Sequence, residues 1–141
     1  MRLFRRAAST ISALPGVEHV AYGNMPMSSG NPTPIYPEGA VSVDGEHEAS
    51  FYNVSREYFH TLRMPLVQGR FFDGADTTDS PRVAVVNQTF ARRVLRSNDP
   101  VGRRFHLLSA NGPLVERRGT LANVPRGKRL ALKVWSPHPR F

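Results

Sequence analysis

The sequence of 141 residues contains no cysteine. A disulfide framework, a thiolate metal site and a cysteine nucleophile are therefore excluded. Long apolar runs are also missing, because no stretch approaches the roughly 20 apolar residues that a membrane-spanning helix needs. The glycine patterns that hold phosphate groups, GxxxxGK[ST] and GxGxxG, do not occur either. ATP hydrolysis therefore has to belong to another domain or chain.

Candidate chemical groups are scattered. The five histidines, none at a paired metal-binding spacing, are His19, His47, His60, His106 and His138. Asp73, Asp76 and Asp79 recur every third residue, but the alternating ligands and central glycine of a calcium loop are absent, so we expect a solvated loop. Ser55 lacks the flanking glycines of a nucleophile elbow. We predict no catalytic residue, no cofactor-binding residue and no metal ligand, and hence no enzyme.

The net charge of +8 is unevenly distributed. Residues 1–102 carry ten Arg and Lys against ten Asp and Glu, whereas residues 103–141 carry nine against one, Glu116. A basic chain suggests nucleic acid as a partner. Because the first 102 residues are neutral, they offer no basic face to such a partner. A small nucleic-acid-binding protein that uses the Arg-rich tail with Trp135 is therefore the alternative hypothesis, and we expect no nucleic acid partner.

The first segment has the pattern of an amphipathic helix. Leu3, Ala7, Ile11 and Leu14 recur at spacings of three and four, the arginines cluster in the first two turns, and Pro15-Gly16 ends the helix. A signal peptide requires an uninterrupted apolar core, and polar residues interrupt it here, so we do not interpret this segment as a signal peptide. We predict a helix that packs its apolar stripe against the rest of the domain.

Two strand-helix units follow, the first over Phe51–Leu62. Phe51–Val54 predicts a strand, and Ser55 is placed to cap a short helix. Tyr58, Phe59 and Leu62 would share the buried face of this helix, which Pro65 prevents from continuing. Leu66–Phe72 is then predicted as extended.

The second unit begins with Val83–Val86, an apolar run typical of a strand covered on both faces. Asn87 offers an N-cap for a helix over 88–96. Its buried stripe would consist of Phe90, Ala91, Val94 and Leu95. Arg104–Leu108 is predicted as the next strand. We expect this stripe to pack in one layer with Tyr58, Phe59 and Leu62.

Weaker patterns complete the order of elements. Val17–Tyr22 predicts a strand and residues 23–37 a proline-rich loop, with the chain extended again from Ile35. Val41–Asp44 has the alternation of a strand, Gly45 can turn the chain, and Glu46–Phe51 begins the next strand. Gly69 and Gly102 are expected at positive φ or in close packing. Mixed order of this kind predicts an α+β fold, a mixed β-sheet with helices packed mainly on one face.

The segment from about Glu116 differs from the rest, since Arg, Lys and Pro alternate with little apolar periodicity. We divide the chain into an amphipathic helix at 1–15, a core at 16–115 and a basic tail at 116–141. Two hypotheses account for the tail. It is either disordered or translated out of frame from about Glu116–Gly119.

An ordered series of short motifs runs through the middle of the chain. These motifs are Val54-Ser55-Arg56-Glu57-Tyr58-Phe59, Met64-Pro65-Leu66, Gly69-Arg70 with Phe72 and Asp76, Val83-Ala84-Val85-Val86-Asn87 with Ala91-Arg92, and Asp99-Pro100-Val101-Gly102-Arg103-Arg104. Over roughly residues 3–110 the chain resembles the periplasmic core domain of MacB-like, FtsX-like ABC transporter permeases. Leu14-Pro15-Gly16-Val17 and Met25-Pro26-Met27 resemble the family's opening.

This resemblance implies an incomplete domain of a larger membrane protein, the periplasmic domain of a bacterial inner-membrane permease. The implied function is non-catalytic: it couples membrane-helix movement to the handling of substrate or partners in the periplasm. Implied partners are an ABC ATPase subunit or domain, periplasmic proteins, and the membrane through segments absent from this chain. The helix at 1–15 would be membrane-proximal, since in the family it follows a membrane span.

Overall fold

The structure, a computed structural model, describes residues 2–24, 32–39, 47–96, 102–123 and 133–136. Within these residues lie three helices and eight strands. In chain order they are α1 (Arg2–Ser12), β1 (Gly23–Asn24), β2 (Pro32–Pro37), β3 (His47–Val54), α2 (Tyr58–Thr61), β4 (Leu66–Gly69), β5 (Val83–Asn87), α3 (Gln88–Arg93), β6 (Arg104–Leu107), β7 (Leu114–Leu121) and β8 (Lys133–Ser136).

All eight strands belong to one sheet, in the order β1-β3-β2-β6-β7-β5-β8, with β4 paired to β7. The pairs β3–β8 and β5–β7 are parallel, and the other pairs are antiparallel. Because β8 pairs with both β5 and β3, the strands β3-β2-β6-β7-β5-β8 form a closed ring. The predicted α+β class with a mixed sheet is confirmed.

The second strand-helix unit forms as predicted. Every residue of β5 is buried, as expected for a strand covered on both faces. The Oδ1 atom of Asn87 accepts a hydrogen bond from the backbone N–H of Phe90 at 3.0 Å, so Asn87 caps α3. The helix ends at Arg93 rather than Arg96, but Val94 and Leu95 remain buried beside it.

Two apolar clusters cover opposite faces of the sheet. Ala84 and Val86 pack with Phe90 of α3, whereas the alternate residues Val83 and Val85 pack with Phe59 of α2. Successive side chains of a strand point to opposite faces. The predicted common layer for the two helices is therefore wrong. Leu62 was also predicted in this layer, yet it is exposed.

Ser55 does not cap α2, contrary to prediction. It is buried, and its Oγ atom accepts a hydrogen bond from the backbone N–H of Tyr22 at 3.1 Å. The backbone N–H of Ser55 in turn donates to the carbonyl oxygen of Tyr22 at 2.7 Å. Ser55 thus ties the segment before β1 to the end of β3. The strand predicted over Val17–Tyr22 is wrong, because the strand here is β1.

Residues 32–34 of the proline-rich strand β2 were predicted as loop, and this prediction is wrong, whereas the extended segment predicted from Ile35 is confirmed as far as Pro37. The first half of β2 pairs with β3 and its second half with β6. The carbonyl oxygen of Pro34 accepts from the N–H of Leu108, beyond β6. In a strand, the nitrogen and the carbonyl oxygen of one residue point to the same side, which for Pro34 is the side of β6. The N–H that proline lacks is therefore missing on that side, and the hydrogen bonds between β2 and β3 are unaffected. The predicted strand Val41–Asp44 lies outside the described residues.

The predicted boundary at residue 115/116 falls inside β7 and is wrong. This strand pairs with β6, β5 and β4, and the side chain of Arg117 is 0% exposed. Basic residues had suggested a solvated tail, but Arg117 alternates with buried Val115 along β7 and shares its covered face, whereas Glu116 and Arg118 on the other face are half-buried. β8 pairs with β3 and β5 within the same predicted tail. Residues 124–132 and 137–141 lie outside the described residues.

Candidate functional site

A polar groove of about 540 Å³ separates α1 from the body of the domain. Helix α1 lines one wall, and residues from the segment before β1 and the turn before α2 line the other. The lining residues are Arg5, Ala8, Ser9, Ser12, Glu18, His19, Val20, Tyr22, Arg56, Glu57 and Asp76. Both signs of charge occur in the groove, so it has no marked preference for an anionic or a cationic ligand.

An ion-pair cluster centred on Asp76 borders this groove. The guanidinium of Arg70 donates two hydrogen bonds to this carboxylate, from Nη1 to Oδ2 at 2.7 Å and from Nη2 to Oδ1 at 3.0 Å. The backbone N–H of Asp73 donates to Oδ2 at 2.9 Å. The Nε atom of Arg118 lies 3.9 Å from Oδ1, and its Nη1 donates to Glu116. The cluster therefore connects the loop after β4 to β7.

The electrostatics of the cluster keep Asp76 ionised. Burial alone would raise the pKa of this carboxyl, whose side chain is 3% exposed. The hydrogen bonds from Arg70 and Asp73, together with the charges of Arg70 and Arg118, outweigh burial and hold the pKa below its ordinary value of 3.8. Because both oxygens already accept hydrogen bonds, Asp76 is suited to holding a loop in place rather than to accepting a proton from a substrate.

We expect Asp76→Asn to lower the free energy of unfolding at pH 7 and to flatten its dependence on pH. The folded pKa of Asp76 lies below the unfolded one, so its contribution is present above the unfolded pKa and lost as pH falls through the folded pKa. Wild-type stability should thus decline from about pH 5 downward, and the variant's stability should decline less. Urea unfolding between pH 7 and pH 3 measures both curves.

Exposed Asp79 provides the matched control, because Asp79→Asn removes the same charge from the same loop. This control should follow the wild-type curve. Parallel curves for wild type and Asp76→Asn would contradict the role given to the ion pair.

The aspartates predicted to form a solvated loop divide into two kinds. Asp73 and Asp79 are exposed, whereas Asp76 is buried, so the prediction is wrong for Asp76.

No set of three or more potential metal ligands comes together among the described residues. The Nδ1 atom of His106 donates a hydrogen bond to the carbonyl oxygen of Gly112 at 2.9 Å. His138 lies outside the described residues.

The pairing of Arg70 with Asp76 and the part that Arg118 plays in it were not predicted from the sequence. The signal was present as the spacing Gly69-Arg70 with Asp76, which carried the family resemblance. Spacing alone does not show that the intervening loop turns back, because this requires the buried anchor Phe72 and the approach of β7. Arg118 had been placed in the basic tail instead.

Two of the basic residues on which the nucleic-acid hypothesis rested are unavailable to a polyanion. Arg117 is buried within β7, and Arg118 pairs with Glu116 and Asp76. The remaining basic residues of the tail either lie outside the described residues or, like Lys133, are described only as part of a strand.

Comparison with known proteins identifies the domain. The family model described as the MacB-like periplasmic core domain matches residues 3–125. No curated protein sequence matches the chain significantly. Among the described residues, no helix is both long and apolar enough to cross a membrane.

Solved structures share the fold at low sequence identity. The periplasmic region of MacB from Actinobacillus actinomycetemcomitans aligns with a TM-score of 0.66 at 18% identity, over 95% of this chain and 54% of that one. The extracellular domain of the ABC-type transporter YknZ from Gram-positive bacteria aligns with a TM-score of 0.65 at 14% identity, over 95% and 62%. A domain of a permease protein from Porphyromonas gingivalis aligns with a TM-score of 0.63 at 14% identity, over 92% and 54%.

The chain spans between 54% and 62% of the length of these solved relatives. The family match, by contrast, covers most of the chain and includes all of β7. The chain therefore belongs to the MacB-like periplasmic core domain family and is a periplasmic domain of an ABC transporter permease.

Proposed function

We propose that this domain is non-catalytic and transmits movement of the permease's membrane helices to the periplasmic side, where substrate or partner proteins are handled. ATP hydrolysis then belongs to an ABC ATPase subunit or domain. The missing phosphate-binding glycine loop supports this division of labour.

The contrast between α1 and the body of the domain carries the proposal. The body is a ring of paired strands with an apolar cluster on each face, so it resists deformation. Helix α1 has no buried residue and lies beside this body across a polar groove. Because α1 contributes no buried residue, it can shift against the ring of strands without disturbing either apolar cluster.

A reversible lock between α1 and the ring tests this proposal in the complete transporter. The rings of Phe4 and Tyr22 stack with centroids 6.0 Å apart, and Ser55 fixes the backbone of Tyr22 to β3. This chain contributes no thiol of its own, so Phe4→Cys with Tyr22→Cys introduces the only two cysteines within it. A short bifunctional thiol reagent would then join α1 to the body.

We expect the crosslinked double variant to lose transport, while the same variant without reagent and each treated single variant retain it. Transport measured in membrane vesicles, with ATP hydrolysis measured in parallel, separates failed coupling from a failed ATPase. Unchanged transport after complete crosslinking would overturn the proposed coupling through α1.

A further inference from the structure

The apolar stripe of α1 faces away from the domain. Leu3 is 75% exposed, Ile11 is 45% exposed and Leu14, held to the last turn by its N–H bond to the carbonyl of Ile11, is 54% exposed. In a globular domain such a stripe packs against the core. The prediction that α1 packs its apolar stripe on the domain is therefore wrong.

The polar side of the same helix faces the protein instead. Arg5, Ser9 and Ser12, which are spaced by three and four residues, line the groove toward the body. The orientation is thus the reverse of that expected for a surface helix. An apolar environment beyond the described residues is needed to stabilise the outward stripe.

The charge of this segment indicates the chemistry of that environment. Arg2, Arg5 and Arg6 lie in the first turns, and the first acidic residue of the chain is Glu18, beyond the helix. A helix with a narrow apolar face and a basic polar face is typical of peptides that lie in the plane of a membrane interface. Anionic headgroups would complement the arginines, and acyl chains would receive the stripe.

We propose that α1 binds an anionic lipid surface, with Leu3, Ile11 and Leu14 inserted at the level of the acyl chains and with Arg2 and Arg6 on the headgroup phosphates. This goes beyond the coupling function, because the isolated chain should bind lipid without any transporter. Failure of one proposal therefore leaves the other standing.

Co-sedimentation of the full chain with vesicles of phosphatidylglycerol, compared with phosphatidylcholine vesicles, tests the proposal. The informative variant is Ile11→Ser with Leu14→Ser, which leaves the net charge and the basic tail unchanged. Exposed Leu62 and Leu108 supply a matched control, Leu62→Ser with Leu108→Ser. Circular dichroism verifies that all three proteins are folded.

We expect wild type and control to bind phosphatidylglycerol vesicles, and the Ile11 and Leu14 variant to bind at least about tenfold more weakly. Arg2→Gln with Arg6→Gln should weaken binding and reduce its salt dependence. Absence of wild-type binding, equal binding by the Ile11 and Leu14 variant, or equal binding to phosphatidylcholine would each overturn the proposal. Self-association through α1 without vesicle binding, measured by light scattering, would also overturn it in favour of a protein partner.

Discussion

Phe90→Ala should lower the free energy of unfolding by about 3–5 kcal/mol, the usual cost of removing a fully buried aromatic ring. Phe90 is 0% exposed and packs on Phe105 with ring centroids 5.1 Å apart. The surrounding strands are paired on both sides, so they cannot close over the cavity without breaking ladder hydrogen bonds. Equilibrium urea unfolding measures the change.

Phe4→Ala is the matched control, since it deletes the same ring from an exposed position. Phe4 is 58% exposed and contacts Tyr22 only by stacking, so we expect a loss below about 1 kcal/mol. Similar losses for the two variants would show that α3 does not close a core cluster. A large loss for Phe4→Ala alone would place the main apolar contact at α1.

Gly69→Ala should destabilise the domain by at least about 3 kcal/mol, because a strained backbone and a steric overlap act together. Gly69 has a φ of +76°, and an added Cβ would overlap the carbonyl oxygen of Arg118 on β7. That oxygen accepts the backbone N–H of Arg70 at 3.0 Å. Separating β4 from β7 would break this bond and move Arg70 away from Asp76.

Gly39→Ala isolates the conformational part of this effect. Gly39 has a nearly identical φ of +78°, but an added Cβ would meet no described atom within 4 Å. We expect Gly39→Ala to lower the free energy of unfolding by about 1–2 kcal/mol, which is the cost of placing alanine in the left-handed conformation. Urea unfolding of both variants gives the difference, and equal losses would rule out close contact between β4 and β7 as the reason for glycine at position 69.

Elements stabilised by their own neighbours in sequence could be predicted. In β5 and α3, an unbroken apolar run, a capping side chain and a three-to-four-residue stripe all lie within 13 residues, Val83–Leu95. Each of these signals acts through the local backbone, which is why both the strand and the cap of Asn87 are confirmed. The motif order also predicted the family, because short local patterns suffice for that resemblance.

Features that depend on partners distant in sequence could not be predicted. Arg117 was expected in solvent because it is charged, yet the neighbours of β7 bury it. Asp76 was expected to be solvated, yet Arg70 and Arg118 enclose it. In both cases the environment is supplied by another strand or loop, so no window of the sequence contains it.

The sequence by itself determined the strand β5 and the capped start of α3, that no phosphate loop or cysteine chemistry is available in this chain, and which family the chain belongs to. Tertiary structure alone decided which face each helix covers, that proline-rich β2 joins the sheet, and that the apolar side of α1 points outward. A strand can contact neighbours through two faces and two edges, and a helix can contact neighbours through any side of its surface. Periodicity identifies an apolar side, whereas only long-range packing decides what lies against it.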